Sequence, residues 1–494
     1  MEFSHTQSLP LADIPLLSLG DFRQRILDRV ADGWRVVALF GLPGKGGVGL
    51  IALTGRDHDG KLAVFRTGPV TAYPSLTPEC PQCHLFEREL FEQWEIRPEG
   101  HPWLKPVRFA PSFPHPDGPR PKPGITDFFK VQGEEVHEVA VGPVHAGIIE
   151  PGHFRFQCAG ENVLHLEISL GYQHRGVERL LVGGPDIRTP HLVETVAGDT
   201  TIGHALAHAA VVESLAGRDA APRGRWIARL ALELERLANH TGDLGALSGD
   251  VGFLPTMSYC GRIRGDFLNM TALFCGNRFG RGIVRPGGAA VDLDEEARVE
   301  LAKRLEAGRR AAFGACELLF ASSTVLARFE GTGRLTATTA QELGLVGPPA
   351  RACGLSRDAR RTFPLPGTDP KDIPLSLHDF GDVYARALVR RLELETSLDF
   401  LDKALADPPT GPIGRPMPDG LPPDRLAVGI VEGWRGEVHH VAVTGPDGRF
   451  AAYKIIDPSF HNWFGLAVAL RGQQISDFPL CNKSFNLSYC GHDL

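Results

Sequence analysis

The chain has 494 residues, more than a single hydrophobic core usually serves, so we expect two or more domains. Hydrophobic residues make up 43% and charged residues 22%, which is ordinary for a globular protein, and no apolar run is long enough to predict a membrane-spanning helix. The net charge of −7 argues against nucleic-acid binding, which needs a basic surface. Residues 1–20 lack a basic segment followed by an apolar one, so we expect no signal peptide and a cytoplasmic chain.

Helix-like and strand-like patterns alternate in the first hundred residues. Apolar residues at helical spacing predict helices at 21–33 and 85–96. Two strands are predicted at 34–42 and 49–56, on either side of a glycine-rich turn. Residues 106–126 are rich in proline, which fixes φ and removes backbone donors, so this segment is predicted to be extended.

The proline-rich segment marks the predicted domain boundary. We predict an N-terminal α/β domain at 1–110, a linker at 111–135 and a large domain at 136–494. The large domain begins with strand patterns, is helical over much of its length and returns to strand spacing at 426–456. The predicted fold class is therefore α+β, with a small β region in a mostly helical second domain.

Two stretches match binding motifs only in part. FGLPGKGGVGL (40–50) has the glycines of a phosphate-binding loop, but Lys45 is not followed by Ser or Thr, so we interpret it as a hairpin turn. HALAH (204–208) places His204 and His208 one helical turn apart without the glutamate of a metalloprotease motif. We interpret these histidines as buried or at an interface.

A charged helix is predicted at LELERLANH (232–240). Glu233, Arg236 and His240 follow one another along it, with leucines on the other side. Such a pattern is typical of an amphipathic helix with salt-bridged polar residues. We expect the charged side chains on a solvated face or at a subunit interface.

Among the nine cysteines, only Cys80 and Cys83 in CPQCH (80–84) have the spacing of metal ligands. A structural zinc site needs a second pair of Cys or His ligands, and the sequence contains no second C-x-x-C. We interpret the two residues as reduced cysteines at the surface, with half of a zinc or iron–sulfur site as the alternative. The other cysteines are expected to be reduced thiols.

Two histidines lie in the glycine- and proline-rich stretch GPVHAGIIEPGHFRF (142–156). His145 and His153 are each next to a turn and close to the start of a strand. Imidazole can titrate or donate a hydrogen bond near neutral pH, so the stretch is a candidate site for proton transfer.

Several stretches in the same order resemble a known family. YPSLTPECPQCHLFERELFEQWEIRPEGHPWLKP (73–106) resembles the 30-kilodalton-subunit domain of respiratory complex I. Four others resemble the large subunit of membrane-bound, energy-converting [NiFe] hydrogenases and the related 49-kilodalton subunit of complex I: GPVHAGIIEPGHFRF, LGYQHRGVERLL (170–181), ALELERLANHTGDLG (231–245) and DPSFHNW…NKSFNLSYCGHDL (457–494). The fused order, small domain first, resembles the large subunit of formate hydrogenlyase.

The resemblance places a nickel–iron centre where this chain has no thiolates. Hydrogenases of the family bind the metals with two Cys-x-x-Cys pairs, the second after an Asp-Pro, because soft sulfur ligands suit nickel and iron. In this sequence the corresponding positions are occupied by Ala197, Thr200, Ser459 and Asn462. None of these side chains replaces a bridging thiolate, so we expect no metal bound by this chain.

The resemblance implies a redox-complex subunit that accepts electrons from an iron–sulfur cluster in a small partner subunit. It implies antiporter-like membrane subunits as further partners, a peripheral position on the cytoplasmic side of the membrane, and a quinone as the candidate acceptor. His145 and His153 are the expected hydrogen-bond or proton donors to an acceptor oxygen, with Asp457 paired to one of them. In complex I the nicotinamide site is on another subunit, so any NADH chemistry is indirect.

Two alternatives stay open. The family's quinone tyrosine has no counterpart, since no tyrosine occurs between residues 173 and 258, and this suits a scaffold subunit without redox chemistry. A cavity filled by Phe460 and Trp463 favours the scaffold, whereas a polar cavity favours an acceptor site. A true hydrogenase is the third hypothesis, and nickel in a native preparation identifies it.

Overall fold

A largely antiparallel sheet forms the N-terminal part of the chain in the computed structural model, which describes residues 1–146 and 149–494. Its elements are β1 (Glu2–Phe3), β2 (Leu9–Pro10), β3 (Leu16–Leu17), α1 (Leu19–Ala31), β4 (Arg35–Gly44), β5 (Gly47–Arg56), β6 (Lys61–Pro69), β7 (Ala72–Pro74), α2 (His84–Trp94) and β8 (Arg97–Glu99). The main strands are ordered β1-β6-β5-β4, and β3 pairs in parallel with β6. The buried faces of α1 and α2 pack on this sheet with Phe22, Ile26, Phe86 and Leu90.

A second sheet and a group of long helices follow. The elements are β9 (Val136–Val141), β10 (His153–Ala159), β11 (Asn162–Ser169), α3 (Val177–Leu181), α4 (Thr189–Glu194), α5 (Thr201–Ala216), α6 (Pro222–Asp250), α7 (Leu254–Cys275), β12 (Val284–Arg285), β13 (Gly288–Ala289), α8 (Glu295–Phe320), α9 (Ser323–Phe329), α10 (Ala337–Glu342), α11 (Gly347–Arg351), α12 (Ala359–Thr362) and α13 (Val383–Ala406). Helices α5 to α8 and α13 share one hydrophobic core.

The last elements are β14 (Arg425–Gly433), β15 (Gly436–Thr444), β16 (Phe450–Ile456), α14 (Pro458–Ala469), α15 (Phe478–Phe485) and α16 (Tyr489–Asp493). The three strands form an antiparallel sheet in the order β16-β15-β14, and the N-terminal strand β2 pairs with β14 at its edge. The N-terminal segment therefore takes part in the C-terminal sheet.

Helix α5 is apolar on all sides because it runs through the core. Its alanines and leucines favour a helix, and its contacts with β14 and β15 bury nearly every residue. It ends at Gly217, whose φ of +62° is the left-handed conformation that glycine adopts most readily. Among the described residues no single helix is long and apolar enough to cross a membrane; by length and composition only the pair α8 and α9, bent by 77°, meets that criterion.

The mixed helix and strand fold is confirmed, and most predicted elements are present. The predicted helix at 21–33 is α1, the predicted pair of strands is the β4–β5 hairpin, and 426–456 forms β14 to β16. Lys45 lies at the tip of the hairpin, beside the Gly44–Gly47 pair, and opens no helix. Residues 111–135 contain no helix or strand, as expected of a linker, while the domain boundaries stay predictions.

Two sequence interpretations are wrong about burial. Cys80 and Cys83 are 1% and 0% exposed, not at the surface, because they lie just before helix α2 and pack in the hydrophobic core of the N-terminal sheet. Glu233, Arg236 and His240 are buried inside α6 and not on a solvated face. The buried charged side chains of α6 form ion pairs and hydrogen bonds with residues of other helices and strands. These contacts offset the free-energy cost of burying the charges.

A buried ion pair joins the N-terminal and C-terminal sheets. Arg35 at the start of β4 donates to the carboxylate of Glu437 on β15 at 2.5 Å, and also to Asp57 at 2.9 Å. His439 contacts the same Glu437 oxygen at 2.9 Å. Burial alone would raise the pKa of Glu437, but the charge of Arg35 and the hydrogen bond of His439 hold that pKa far below its ordinary value.

We expect Glu437→Gln to lower the free energy of unfolding by about 3 kcal/mol at pH 7, because it leaves the buried Arg35 charge with one carboxylate instead of two. The pKa of Glu437 is lowered by folding, so this contribution is full above the ordinary glutamate pKa of about 4.3 and declines as the pH falls below it. Urea unfolding at neutral and acid pH measures the loss. The control, Asp59→Asn, removes an exposed partner of Arg56 and should change nothing; equal losses in both variants contradict the assignment.

Candidate functional site

The start of helix α14 carries the first group of the candidate site. Asp457 precedes Pro458, and its carboxylate oxygen Oδ1 accepts the backbone N–H of Ser459 at 2.8 Å. An aspartate at the N-cap followed by proline at the first helical position is a strong helix start, since proline has the right φ and needs no N–H partner there. The sequence Asp-Pro-Ser therefore fixes both the helix start and the direction of the carboxylate.

The other carboxylate oxygen of Asp457 contacts helix α5. Its Oδ2 lies 3.2 Å from Nε2 of His204, and both side chains are buried. Burial alone would raise the pKa of Asp457, but the hydrogen bond and charge of His204 and the nearby Arg435 hold it below its ordinary value. Asp457 is thus an ionised acceptor that binds α14 to α5.

The four positions predicted to replace the metal ligands lie on these two helix starts. Ala197 is fully buried, and the Thr200 hydroxyl receives a hydrogen bond from Arg435 at 3.2 Å. The Ser459 hydroxyl accepts the backbone N–H of Ser488 at 2.8 Å. Asn462 accepts the N–H of residue 346 at 3.1 Å and donates to its carbonyl at 3.0 Å.

These donor atoms do not fit a nickel–iron centre. Such a centre needs thiolates, whereas Ala197 offers no ligand atom and Asn462 uses both ends of its amide on one backbone residue. The Ser459 hydroxyl is likewise engaged with the backbone. The residues present support a hydrogen-bonded polar site, and no step through a metal is derived for them.

The two loop histidines hold their own loop together. Nε2 of His145 lies 2.9 Å from the carbonyl oxygen of Gly152, and Nδ1 of His153 lies 3.3 Å from that of Gly142. Burial lowers the pKa of His153, so it is neutral at pH 7. Its Nε2 is buried and has no hydrogen-bond partner among the described residues, although residues 147 and 148 of this loop lie outside them.

Asp457 pairs with His204, so the predicted pairing with His145 or His153 is not the contact that the structure shows. The loop reaches the C-terminal segment by another route: Glu150 accepts the backbone N–H of Tyr489 at 3.3 Å. The positions of the histidines in the sequence did not reveal the contact of Asp457 with His204, because that contact depends on how α5 packs against α14.

Sequence reasoning missed further polar groups beside the site. Asp199 forms a two-pronged ion pair with Arg435 at 2.6 and 2.8 Å, next to Thr200. Glu235 of α6 accepts the backbone N–H of Ile202 at 2.8 Å and so caps α5 from outside; burial raises its pKa to about 8. The side chain of Thr200, at the start of α5, makes no capping hydrogen bond. A helix start without a local cap needs an acceptor from elsewhere in the chain, and this was the signal in the sequence for a cap such as Glu235.

The comparisons with known proteins agree with this architecture. Residues 250–428 match the family described as respiratory-chain NADH dehydrogenase, 49 Kd subunit. The chain is 30% identical over 357 residues to the carbon monoxide-induced hydrogenase of Rhodospirillum rubrum, covering 71% of this chain and 97% of that protein. The chain belongs to the family of the complex I 49-kilodalton subunit and the membrane-bound hydrogenase large subunits.

Other members of the 49-kilodalton family span similar parts of the chain. Formate hydrogenlyase subunit 5 of Escherichia coli is 29% identical over 439 residues, 84% of this chain and 76% of that protein. NADH-quinone oxidoreductase subunit 4 of Thermus thermophilus is 30% identical over 372 residues, 69% of this chain and 90% of that protein. A chain of the membrane-bound sulfane sulfur reductase, an archaeal respiratory membrane complex, shares the fold with a TM-score of 0.67 at 24% identity, over 73% of this chain and 99% of that one.

We expect Asp457→Asn to lower the free energy of unfolding by about 2 kcal/mol at pH 7, because the amide keeps the helix cap but loses the charge-assisted bond with His204. The carboxylate pKa is lowered by folding, so its contribution is complete above the ordinary aspartate pKa of about 3.9 and fades as the pH falls below it. Unfolding curves of wild type and variant should therefore converge in acid. The exposed Asp379→Asn is the control, and a variant gap that persists in acid contradicts the ionised state of Asp457.

Proposed function

We propose that the chain is the subunit of a membrane-associated, complex I-like oxidoreductase complex that passes electrons from a neighbouring iron–sulfur subunit to a quinone or similar acceptor, with coupled ion translocation. Support comes from membership of the 49-kilodalton family, since the chain is similar to an NADH-quinone oxidoreductase subunit and to an F(420)H(2) dehydrogenase subunit. The four non-thiolate residues at the ligand positions support an acceptor other than a nickel–iron centre.

The observation that carries the proposal is the buried Nε2 of His153, which has no hydrogen-bond partner among residues 1–146 and 149–494. A buried polar atom without a hydrogen bond is costly, and a ligand oxygen at this position would supply the missing partner. The loop is held on both sides by the contacts of His145 and His153 with backbone carbonyls. In our proposal His145 braces the loop through Gly152, and Nε2 of His153 accepts a hydrogen bond from a hydroxyl of the reduced acceptor, because the Nδ1–H of the neutral ring donates to Gly142.

The partners follow from the same proposal. An iron–sulfur small subunit would face the helix starts of α5 and α14, where electrons are delivered, and antiporter-like membrane subunits would carry the ions. The chain would be peripheral, on the cytoplasmic face of the membrane. No cofactor of its own is required, because the quinone is the substrate and the cluster belongs to the partner.

The double variant His145→Gln/His153→Gln should lower the rate of acceptor reduction by about 100-fold or more, as expected when the imidazole that hydrogen-bonds the reacting acceptor is removed. The native complex, isolated through a tag on this chain, is assayed with a short-chain quinone, and its subunit composition is compared with wild type. His58→Gln, an exposed histidine of the N-terminal sheet, is the control and should keep full turnover. Full turnover of the double variant contradicts the site.

A scaffold subunit without redox chemistry is the second candidate. It is favoured by the hydrogen bonds of Ser459 and Asn462, which leave these side chains engaged with the backbone, and by the burial of Phe460 and Trp463. A scaffold predicts that the histidine double variant assembles and turns over normally, so the same experiment separates the two candidates.

Metal analysis tests the third hypothesis. We expect the isolated chain and its complex to contain no nickel above a mock purification, because thiolates are absent from the four ligand positions. Inductively coupled plasma mass spectrometry of the native complex measures this, with iron as the internal reference for clusters in the partner. Stoichiometric nickel would show that a hydrogenase centre is bound by other residues.

A further inference from the structure

Five buried side chains form one continuous hydrogen-bonded chain through the core. Oδ2 of Asp457 lies 3.2 Å from Nε2 of His204, and Nδ1 of His204 lies 3.0 Å from Nε2 of His440 on β15. Nδ1 of His440 is 2.9 Å from the hydroxyl of Tyr453 on β16, and the same hydroxyl is 2.8 Å from Nδ1 of His208. All five residues are at most 5% exposed.

The protonation states allow only two arrangements of the hydrogens. Burial lowers the pKa of His208 to about 4 and that of His440 well below its ordinary value, so both are neutral, and burial keeps Tyr453 protonated by raising its pKa. A neutral imidazole has one N–H and one acceptor nitrogen. With His204 neutral, every donor points toward Asp457. With a second proton on His204, the N–H groups of His204 Nδ1 and His440 Nδ1 point toward Tyr453 instead.

These two arrangements differ by one proton at His204. A proton taken up at Tyr453, which lines the cavity, replaces the hydroxyl proton that moves to Nδ1 of His440, while Nδ1 of His208 stays hydrogen-bonded to the Tyr453 oxygen. The Nε2 proton of His440 then moves to Nδ1 of His204. One proton has entered and one is available beside Asp457, with every intermediate group restored to its neutral state.

The outer end of the chain lies near a cavity. Tyr453 is part of the wall of a cavity of about 360 Å³, and the His208 ring is 5.9 Å from the Tyr453 ring. The cavity also has polar walls, formed by Glu178 and Lys454, which pair at 2.9 Å, and its rim includes the exposed Arg179. The ion pair of Glu178 and Lys454 gives this mostly apolar cavity a polar wall where water molecules can bind and supply protons.

The inner end lies at the candidate site. His204 and Asp457 are on the facing starts of α5 and α14, beside Thr200 and Ser459, two of the positions where hydrogenases of the family have thiolates. Reduction of a quinone by two electrons consumes two protons, and buried sites need a defined route for them. The position of the chain thus suits a supply of protons from the cavity to the site.

We propose that Asp457, His204, His440, Tyr453 and His208 form a proton relay that carries protons from the cavity beside Tyr453 to the acceptor site. The relay rests on the proposed function, because it serves the protons that acceptor reduction consumes. The Tyr453 hydroxyl is the link that can be removed with the least change of shape. The five residues are positioning and proton-transferring groups, distinct from the loop histidine that contacts the acceptor in our proposal.

The test uses the native complex and the variant Tyr453→Phe. We expect quinone reduction to slow by about tenfold or more, with KM for the quinone unchanged, because only proton supply is affected. The rate of the variant should also fall more in D₂O than that of wild type. Tyr73→Phe is the matched control, since Tyr73 on β7 is a buried tyrosine at 3% exposure outside the relay, and it should keep the wild-type rate and isotope effect.

A second variant, His440→Gln, covers the case in which Tyr453→Phe fails to fold. Once one link of a relay is broken, breaking a second link has no further effect on the rate. The double variant Tyr453→Phe/His440→Gln should therefore be no slower than either single variant, whereas independent structural damage would give additive losses. A wild-type rate and isotope effect in either folded single variant overturns the relay and leaves the proposed function intact. A wild-type complex that reduces no quinone overturns the proposed function and the relay with it.

Discussion

The buried carboxylate of Glu393 is the constraint around which the large domain is built. A charge in the core must be paired, and Glu393 on α13 meets Arg351 at 2.6 Å and His240 of α6 at 2.8 Å. Arg351 also donates to Glu432 on β14 at 2.7 Å. These contacts hold three helices (α6, α11 and α13) and the C-terminal sheet in one register, so the strands that face α5 cannot shift without leaving a charge unpaired.

This fixed register is what gives the candidate site its geometry. The sheet presents His440 and Tyr453 to helix α5, and α14 follows β16 directly, so Asp457 meets His204. At these helix starts Ser459 and Asn462 hydrogen-bond to the backbone and Thr200 to the side chain of Arg435, so the polar groups beside Asp457 are held in place.

Local patterns predicted the elements well because each depends on residues near in sequence. The helical spacing of 21–33 and the hairpin glycines near Lys45 both act over a few residues. The burial of Glu233 and of the Cys80 pair could not be predicted, since it depends on partners far away in the chain. The Asp457–His204 contact spans 253 residues and follows from tertiary packing alone.

The most direct test of the account is the re-oxidation of clusters in the native complex. The complex is isolated through a tag on this chain, reduced chemically and mixed with a short-chain quinone, while electron paramagnetic resonance follows the iron–sulfur signals. The account predicts that the quinone re-oxidises the clusters and that His145→Gln/His153→Gln prevents it. Clusters that stay reduced in an intact wild-type complex with quinone present would contradict the account.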